Sequence, residues 1–211
     1  VGILPGMFSS NADYDERGWP FLKPMIEAEF DKRNIKVFGV YHYPPQVILG
    51  SKKAPPLKSF DDLKGRTIRV SNPEVAEFAK AIGAIPVTLP TPDVSAALQR
   101  GTVDYVVTAY AAGGRLWRDF FGSGTQDPVY VTVSYILMNK DRWESLTPEQ
   151  QTQFQEFVDE TRRWIISSQE EDDSVAMKEF QEKDGWVIAP PNPDSMARIR
   201  EIMTPVWDKW A

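Results

Sequence analysis

"RTIRVSNPEVAEFAKAIGAIPVTLPTPDVSAALQRGTVDYVVT" (residues 66–108) alternates short β-branched runs with helix-forming runs. The run 67–71 has strand composition. Asn72 suits a helix N-cap and Pro73 the first helical position. Behind them Val75, Phe78, Ala79 and Ile82 fall on one helical face, and Gly83 can close the helix in the left-handed region. "IPVTL" is a second strand, "PTPD" a turn that also caps the next helix, "VSAALQRG" a short helix ending at Gly101, and "VDYVVTAY" a third strand. Strands joined through helices require crossover connections, so the expected fold is α/β with a parallel, doubly wound sheet. Ligands of such sheets gather outside the carboxyl ends of the strands. One residue breaks the pattern: Arg69 is a charge between the apolar Ile68 and Val70 of a strand.

Composition bounds what such a fold is used for. The 211 residues carry 42% hydrophobic and 12% aromatic side chains, a globular balance. A net charge of −6 lacks the basic footprint of nucleic-acid binding. No apolar run reaches the roughly 18 residues of a membrane span. With no cysteine there is no disulfide, thiolate nucleophile or cysteine–zinc site.

Outside the central stretch the signals are coarser. The chain begins "VGILPGMF", an apolar run that reads as the end of a strand. "NIKVFGVYHYPPQVILGS" (34–51) holds one or two strands around a Pro-Pro break, and "PVYVTVSYILMN" (128–139) is a strand long enough to cross between lobes. "SLTPEQQTQF" is a helix start, with Thr147 as cap, Pro148 first and Gln150 completing a capping box. Helical spacing then runs on to Gly185, which implies a kink or a spine bridging two lobes. A closing amphipathic helix is interrupted by Pro205.

Three stretches in order, "LKSFDDLKGRTIRV", "AIGAIPVTLPTPDVSAALQRGTVDYVVT" and "YILMNKDRWESLTPEQQTQF", resemble the solute-binding proteins of TRAP transporters, which carry "DLKGxKIRV", "LGAxPVxLPxxEVYxALQxGxVDG" and "INKxxWxxLPxExQ". The resemblance spans residues 30–165. It implies a periplasmic, two-lobed α/β binding protein of type II-like fold, with doubly wound sheets, hinge-crossing strands near 37–48 and 128–138, and a long bridging helix. Lobe one is then 1–47 with 139–185, lobe two 48–138, and 186–211 a C-terminal helical segment. The first lobe is expected to be incomplete, because family chains open with a substantial segment before the point where this one starts. The implied partners are a small organic acid and the membrane permease subunits, with no cofactor and a monomeric full-length protein.

From the strand alone, Arg69 either faces a ligand or snorkels to the surface and pairs with Asp61 or Asp62. The resemblance implies the first, since the arginine of the family's "IRV" strand meets the ligand carboxylate. A guanidinium offers a planar fork matched to two carboxylate oxygens, which lysine does not. Other positions depart from the family pattern. Where a second arginine is frequent stands Pro45, leaving Gln46; Thr91 replaces an aromatic residue before the "EVYxAL" helix; Thr108 stands where an asparagine is common. Tyr41, Tyr43, Tyr110 and Tyr130 are candidate aromatic walls suited to a monocarboxylate with an apolar or aromatic body, although packing is the ordinary use of each.

Catalytic signatures are missing. His42 is the sole histidine, expected to pack or face solvent, so a histidine pair for a metal is impossible. There is no G-x-S-x-G elbow, P-loop or G-x-G-x-x-G. "FGSGTQD" (121–127) reads as a surface loop, and Glu170-Glu171-Asp172-Asp173 as a solvated helix face. The rival classes are the effector domain of a two-lobed transcriptional regulator and a small α/β enzyme acting on a carboxylate.

Overall fold

A computed structural model describes residues 4–209. In chain order the elements are α1 (Asn11–Asp13), a wide helical turn (Tyr14–Gly18), α2 (Trp19–Asp31), β1 (Ile35–His42), β2 (Val47–Ser51), a tight turn (Phe60–Leu63) and β3 (Thr67–Val70). Then come α3 (Pro73–Ala81), β4 (Ile85–Thr88), α4 (Thr91–Arg100), β5 (Tyr105–Thr108), a second wide turn (Tyr110–Gly114), a tight turn (Arg118–Phe120) and β6 (Phe121–Gly124). The chain closes with β7 (Val133–Asn139), α5 (Lys140–Glu144), α6 (Pro148–Lys183), β8 (Val187–Ile188) and α7 (Ser195–Trp207).

Six strands form one sheet in the order β4-β3-β5-β2-β6-β8. The β4-β3-β5 part is parallel, as the crossover helices require. The sheet then becomes mixed, because β2 runs antiparallel to both β5 and β6. No crossover helix leads into β2; it arrives directly from β1 through the Pro-Pro segment, so nothing obliges it to run parallel. Side chains alternate across the sheet with the strand period of two. Ile48, Ile68, Val70, Tyr105 and Val107 face a core shared with α3 and α7. Val47, Leu49 and Val106 face a second core shared with α4 and the C-terminal part of α6. Helices thus cover both faces.

The other sheet has two strands, β1 and β7, antiparallel from Ile35↔Asn139 to His42↔Val133. Its core gathers Phe8, Trp19, Leu22, Val37, Val40 and Val131. The connections 43–46 and 125–132 pass between the sheets, joined where Gln46 N–H donates to Tyr130 O at 2.9 Å and Val129 N–H to Gln46 O at 2.7 Å.

The capping signals give the helix boundaries. Asn72 accepts from Val75 N–H, and Gly83 and Gly101 take φ of +78° and +73°. Thr147 and Gln150 exchange both capping-box bonds at the start of α6. That helix runs 36 residues without a break, about 54 Å. Phe154 packs edge-on to Phe38 of β1 at 4.8 Å, and 26 residues on Phe180 stacks on Trp186 beside the large sheet at 4.4 Å. It runs as one continuous helix from the small sheet to the large one.

Several expectations are corrected. The supposed strand end at the N-terminus is a turn from residue 4 onward, and Val1–Ile3 lie outside the described residues. "FGSG" is β6, a buried strand: a Cβ on Gly124 would meet Tyr110 Oη at 2.4 Å and Leu49 Cδ2 at 2.9 Å. Its glycines reflect close neighbours, not a loop. The "PTPD" turn starts α4 at Thr91 but supplies no side-chain cap. Pro205 lies within α7, which runs through it to Trp207 instead of breaking there. The stretch after 185 is tied to the large sheet, with β8 paired to β6 and Ile199 and Met203 of α7 in the core of α3.

Candidate functional site

Arg69 occupies the third position of β3, beside Val106 of β5, near the carboxyl ends of the two parallel strands. The alternation that sends Ile68 and Val70 into the α3–α7 core sends Arg69 to the opposite face. It is 5% exposed, and among the described residues it is the one Lys, Arg, Asp or Glu that is buried. Its Nε and Nη2 both donate to Leu89 O, at 3.0 and 2.8 Å, just beyond the end of β4. Its guanidinium carbon lies 5.9 Å from the centre of the Trp117 ring. Burial pulls the guanidinium pKa below its ordinary value, and the nearby Tyr130 hydroxyl opposes that shift.

No carboxylate among the described residues neutralises this charge. Asp61 pairs with Arg198 on the surface, and Asp62 accepts from the N–H groups of Lys58 and Ser59, closing its own turn. Pairing of Arg69 with either residue is therefore excluded by geometry. Leu89 O is a dipole, not a countercharge. Arg69 is thus a largely buried cation with one edge fixed on a carbonyl and no hydrogen-bond partner for Nη1 among the described residues, an arrangement that an anion would complete.

Of the other sequence candidates Tyr130 lies near it, while Gln46 is tied to Tyr130 and Thr108 to the turn that carries Trp117. Tyr130 is buried with its hydroxyl 3.4 Å from Ser71 Oγ, two residues beyond Arg69. Burial raises the Tyr130 phenol pKa, offset in part by the Ser71 hydroxyl and the Arg69 charge. Gln46 pairs with Tyr130 through the backbone, while its side-chain amide donates to Pro44 O at 2.7 Å. Thr108 ends β5 opposite Val47, buried, its Oγ1 accepting from Gly113 N–H at 3.2 Å. Thr91 is exposed at the start of α4, two residues after Leu89.

Two tyrosines do not join them. Tyr110 is buried against Phe180 and Trp186, donates to Thr125 O at 2.8 Å and lines a cavity with Pro45 and Val47. Tyr43 is 39% exposed beside the small sheet, edge-on to Tyr41 at 5.0 Å and accepting from Ser134 Oγ. Tyr41 accepts from Gln169 of α6 at 2.9 Å, so it braces the spine. His42 neither faces solvent nor packs passively: it is buried with Nε2 2.8 Å from Asp15 Oδ1, and Arg162 lies 3.5 Å from the same oxygen.

The acidic run on α6 is partly engaged. Asp172 forms a two-point pair with Arg115. Asp173 accepts from Ala111 N–H at 2.7 Å, capping the 110–114 turn, and lines a cavity of about 300 Å³ with Pro45, Val47, Gln126 and Pro128. Burial pushes its carboxyl up to about 6, against the pull of backbone N–H groups.

Sequence reasoning missed Trp117 and the Leu89 carbonyl. The usable signal for Trp117 is "GGRLW": a glycine one helical turn before an aromatic residue leaves room beneath it. Nothing in a sequence marks one carbonyl among many.

A sequence model of the bacterial extracellular solute-binding protein family 7 matches residues 4–211. Solved structures share the fold. A Bordetella pertussis extracytoplasmic solute receptor binding pyroglutamic acid superposes with a TM-score of 0.83 at 20% identity, over 100% of this chain and 68% of that one. A Desulfovibrio salexigens TRAP periplasmic solute-binding protein with bound orotic acid gives 0.82 at 22%, over 97% and 65%. One from Xanthobacter autotrophicus with bound β-D-galacturonate gives 0.79 at 18%, over 100% and 69%. The chain spans about two thirds of the length of the structures it matches. It belongs to this family of extracytoplasmic solute receptors, which bind solutes and are not enzymes. No helix among the described residues is long and apolar enough to cross a membrane.

Proposed function

We propose that this chain captures a small organic acid for a TRAP-type uptake system, holding its carboxylate on Arg69 between the two lobes and passing it to the membrane permease. The observation that carries the reading is a buried guanidinium without a carboxylate partner. Leu89 O takes the Nε side, so the acid's oxygens meet the Nη1–Nη2 side as a two-point, charge-assisted pair. Gln46, Thr108 and Tyr130 line the approach, and Thr91 stands at its rim. Pyroglutamate, orotate and galacturonate, bound by the related structures, each carry a carboxylate. With one arginine and few further polar groups, the site suits a monocarboxylate with a planar or apolar body.

Lobe one is 1–47 with 139–185 and lobe two 48–138, and the described part of the C-terminal segment 186–211 packs on the second. Closure bends the connections at 43–46 and 125–132, while α6 stays attached on both sides. The test is mass spectrometry of small molecules released from the purified chain, followed by melting curves with pyroglutamate, orotate, galacturonate and their uncharged amides. An acid that raises Tm while its amide does not supports the reading. Equal shifts by acid and amide, or no shift by any acid, oppose it.

A further inference from the structure

Arg69 carries a long side chain, and its single backbone acceptor fixes one edge without fixing the tilt of the guanidinium plane. Trp117 supplies what is missing. It is 4% exposed, packs edge-on to Phe121, and presents its ring to the guanidinium carbon at 5.9 Å. A desolvated cation over an indole face is attracted by the ring's quadrupole, and that attraction falls off as the two planes slide apart.

The local chain is built to bring the indole there. Trp117 N–H donates to Gly113 O at 2.9 Å, so the two residues sit one helical turn apart on the same face. A Cβ on Gly113 would lie 2.5 Å from Trp117 Cζ3 and 2.5 Å from Thr108 Oγ1. Gly113 therefore clears the space in which the indole slips beneath Arg69 while Thr108 reaches the same turn. Asp173 closes the start of this turn from α6, through its bond with Ala111.

We propose that Trp117 is a positioning residue: it sets the guanidinium plane of Arg69, and so the direction in which the site accepts a carboxylate. This rests on the ligand reading above only for the affinity part of the test. The experiment compares Trp117→Phe and Trp117→Leu in the full 211-residue chain. The first readout needs no ligand: the orientation of the Arg69 guanidinium plane in crystal structures of the three proteins. It is expected unchanged in Trp117→Phe and rotated about its bonds to Leu89 O in Trp117→Leu.

The second readout is the Kd of whichever of pyroglutamate, orotate or galacturonate binds. Trp117→Leu should weaken it about tenfold and Trp117→Phe by much less. In an Arg69→Lys background Trp117→Leu should add little, because the group it positions is gone. An Arg69 guanidinium oriented identically in all three proteins overturns the proposal, as does a loss that simply adds to Arg69→Lys. If none of the acids binds, the ligand reading fails by itself and the guanidinium orientation still decides this one. Should the leucine variant not fold, Trp117→Met carries the same two readouts.

Discussion

Replacing Arg69 with methionine separates stability from binding in a way that only an uncompensated buried charge permits. Methionine keeps the unbranched stem and removes the guanidinium. Leu89 O then loses its donor, a cost of about 1–3 kcal/mol for a buried unpaired group. The contact with Trp117 goes as well, worth about 0.5–2 kcal/mol. Against these stands relief from holding a cation out of water, several kcal/mol per ion. The terms nearly cancel, so the unliganded variant should melt within about 2 kcal/mol of the wild type, on either side. The ligand response should vanish. At a hundredfold excess over Kd a bound acid stabilises the wild type by about 2.7 kcal/mol, roughly 5–10 °C in Tm at this chain length. Calorimetric melts of both proteins, with and without the acid, read both quantities. A variant destabilised by more than about 4 kcal/mol without ligand would show Arg69 to be a structural residue. A variant that keeps the ligand shift would refute the anchor outright.

Further outcomes follow from neighbouring residues. Gly113→Ala places a Cβ 2.5 Å from both Thr108 Oγ1 and Trp117, so thermal melts should show a loss of about 1–3 kcal/mol despite the better helix former. Asp173→Asn keeps an acceptor for Ala111 N–H but carries no charge to desolvate. Folded Asp173 holds its proton more tightly than the unfolded residue, with a pKa raised from 3.8 to about 6. The wild type therefore gains stability, by about 2 kcal/mol, as pH falls from above 6 toward 4. The asparagine variant should be the more stable protein at pH 7.5 and lose that lead at pH 4.5; a pH-independent difference would mean the carboxyl is not desolvated. X-ray scattering should give a smaller radius of gyration with the acid than without it, and unchanged profiles at saturation would count against hinge closure.

The large sheet was legible because its punctuation is local. Asn72-Pro73, Gly83, Gly101 and the Thr147–Gln150 box each act within four residues of chain, and each does in the structure what its chemistry implies. β6 was illegible for the opposite reason. Gly124 looks like a loop residue until Leu49 of β2 and the Tyr110 hydroxyl stand against it, and those neighbours arrive from other parts of the chain. The same holds for the acidic run on α6: helical spacing gives the directions of Asp172 and Asp173, but not that Arg115 and Ala111 N–H wait there. Arg69 stood out as a charge in a buried strand. The tilt of its guanidinium was not readable, since it depends on a carbonyl 20 residues away and an indole 48 residues away in the chain.

The most direct test of the carboxylate anchor is a crystal structure of the chain with the acid that raises its Tm. Both carboxylate oxygens are expected about 2.7–2.9 Å from the Nη1–Nη2 side of Arg69, with Nε still on Leu89 O. An acid ordered elsewhere in the protein, with Arg69 left bonded only to Leu89 O, would contradict the account.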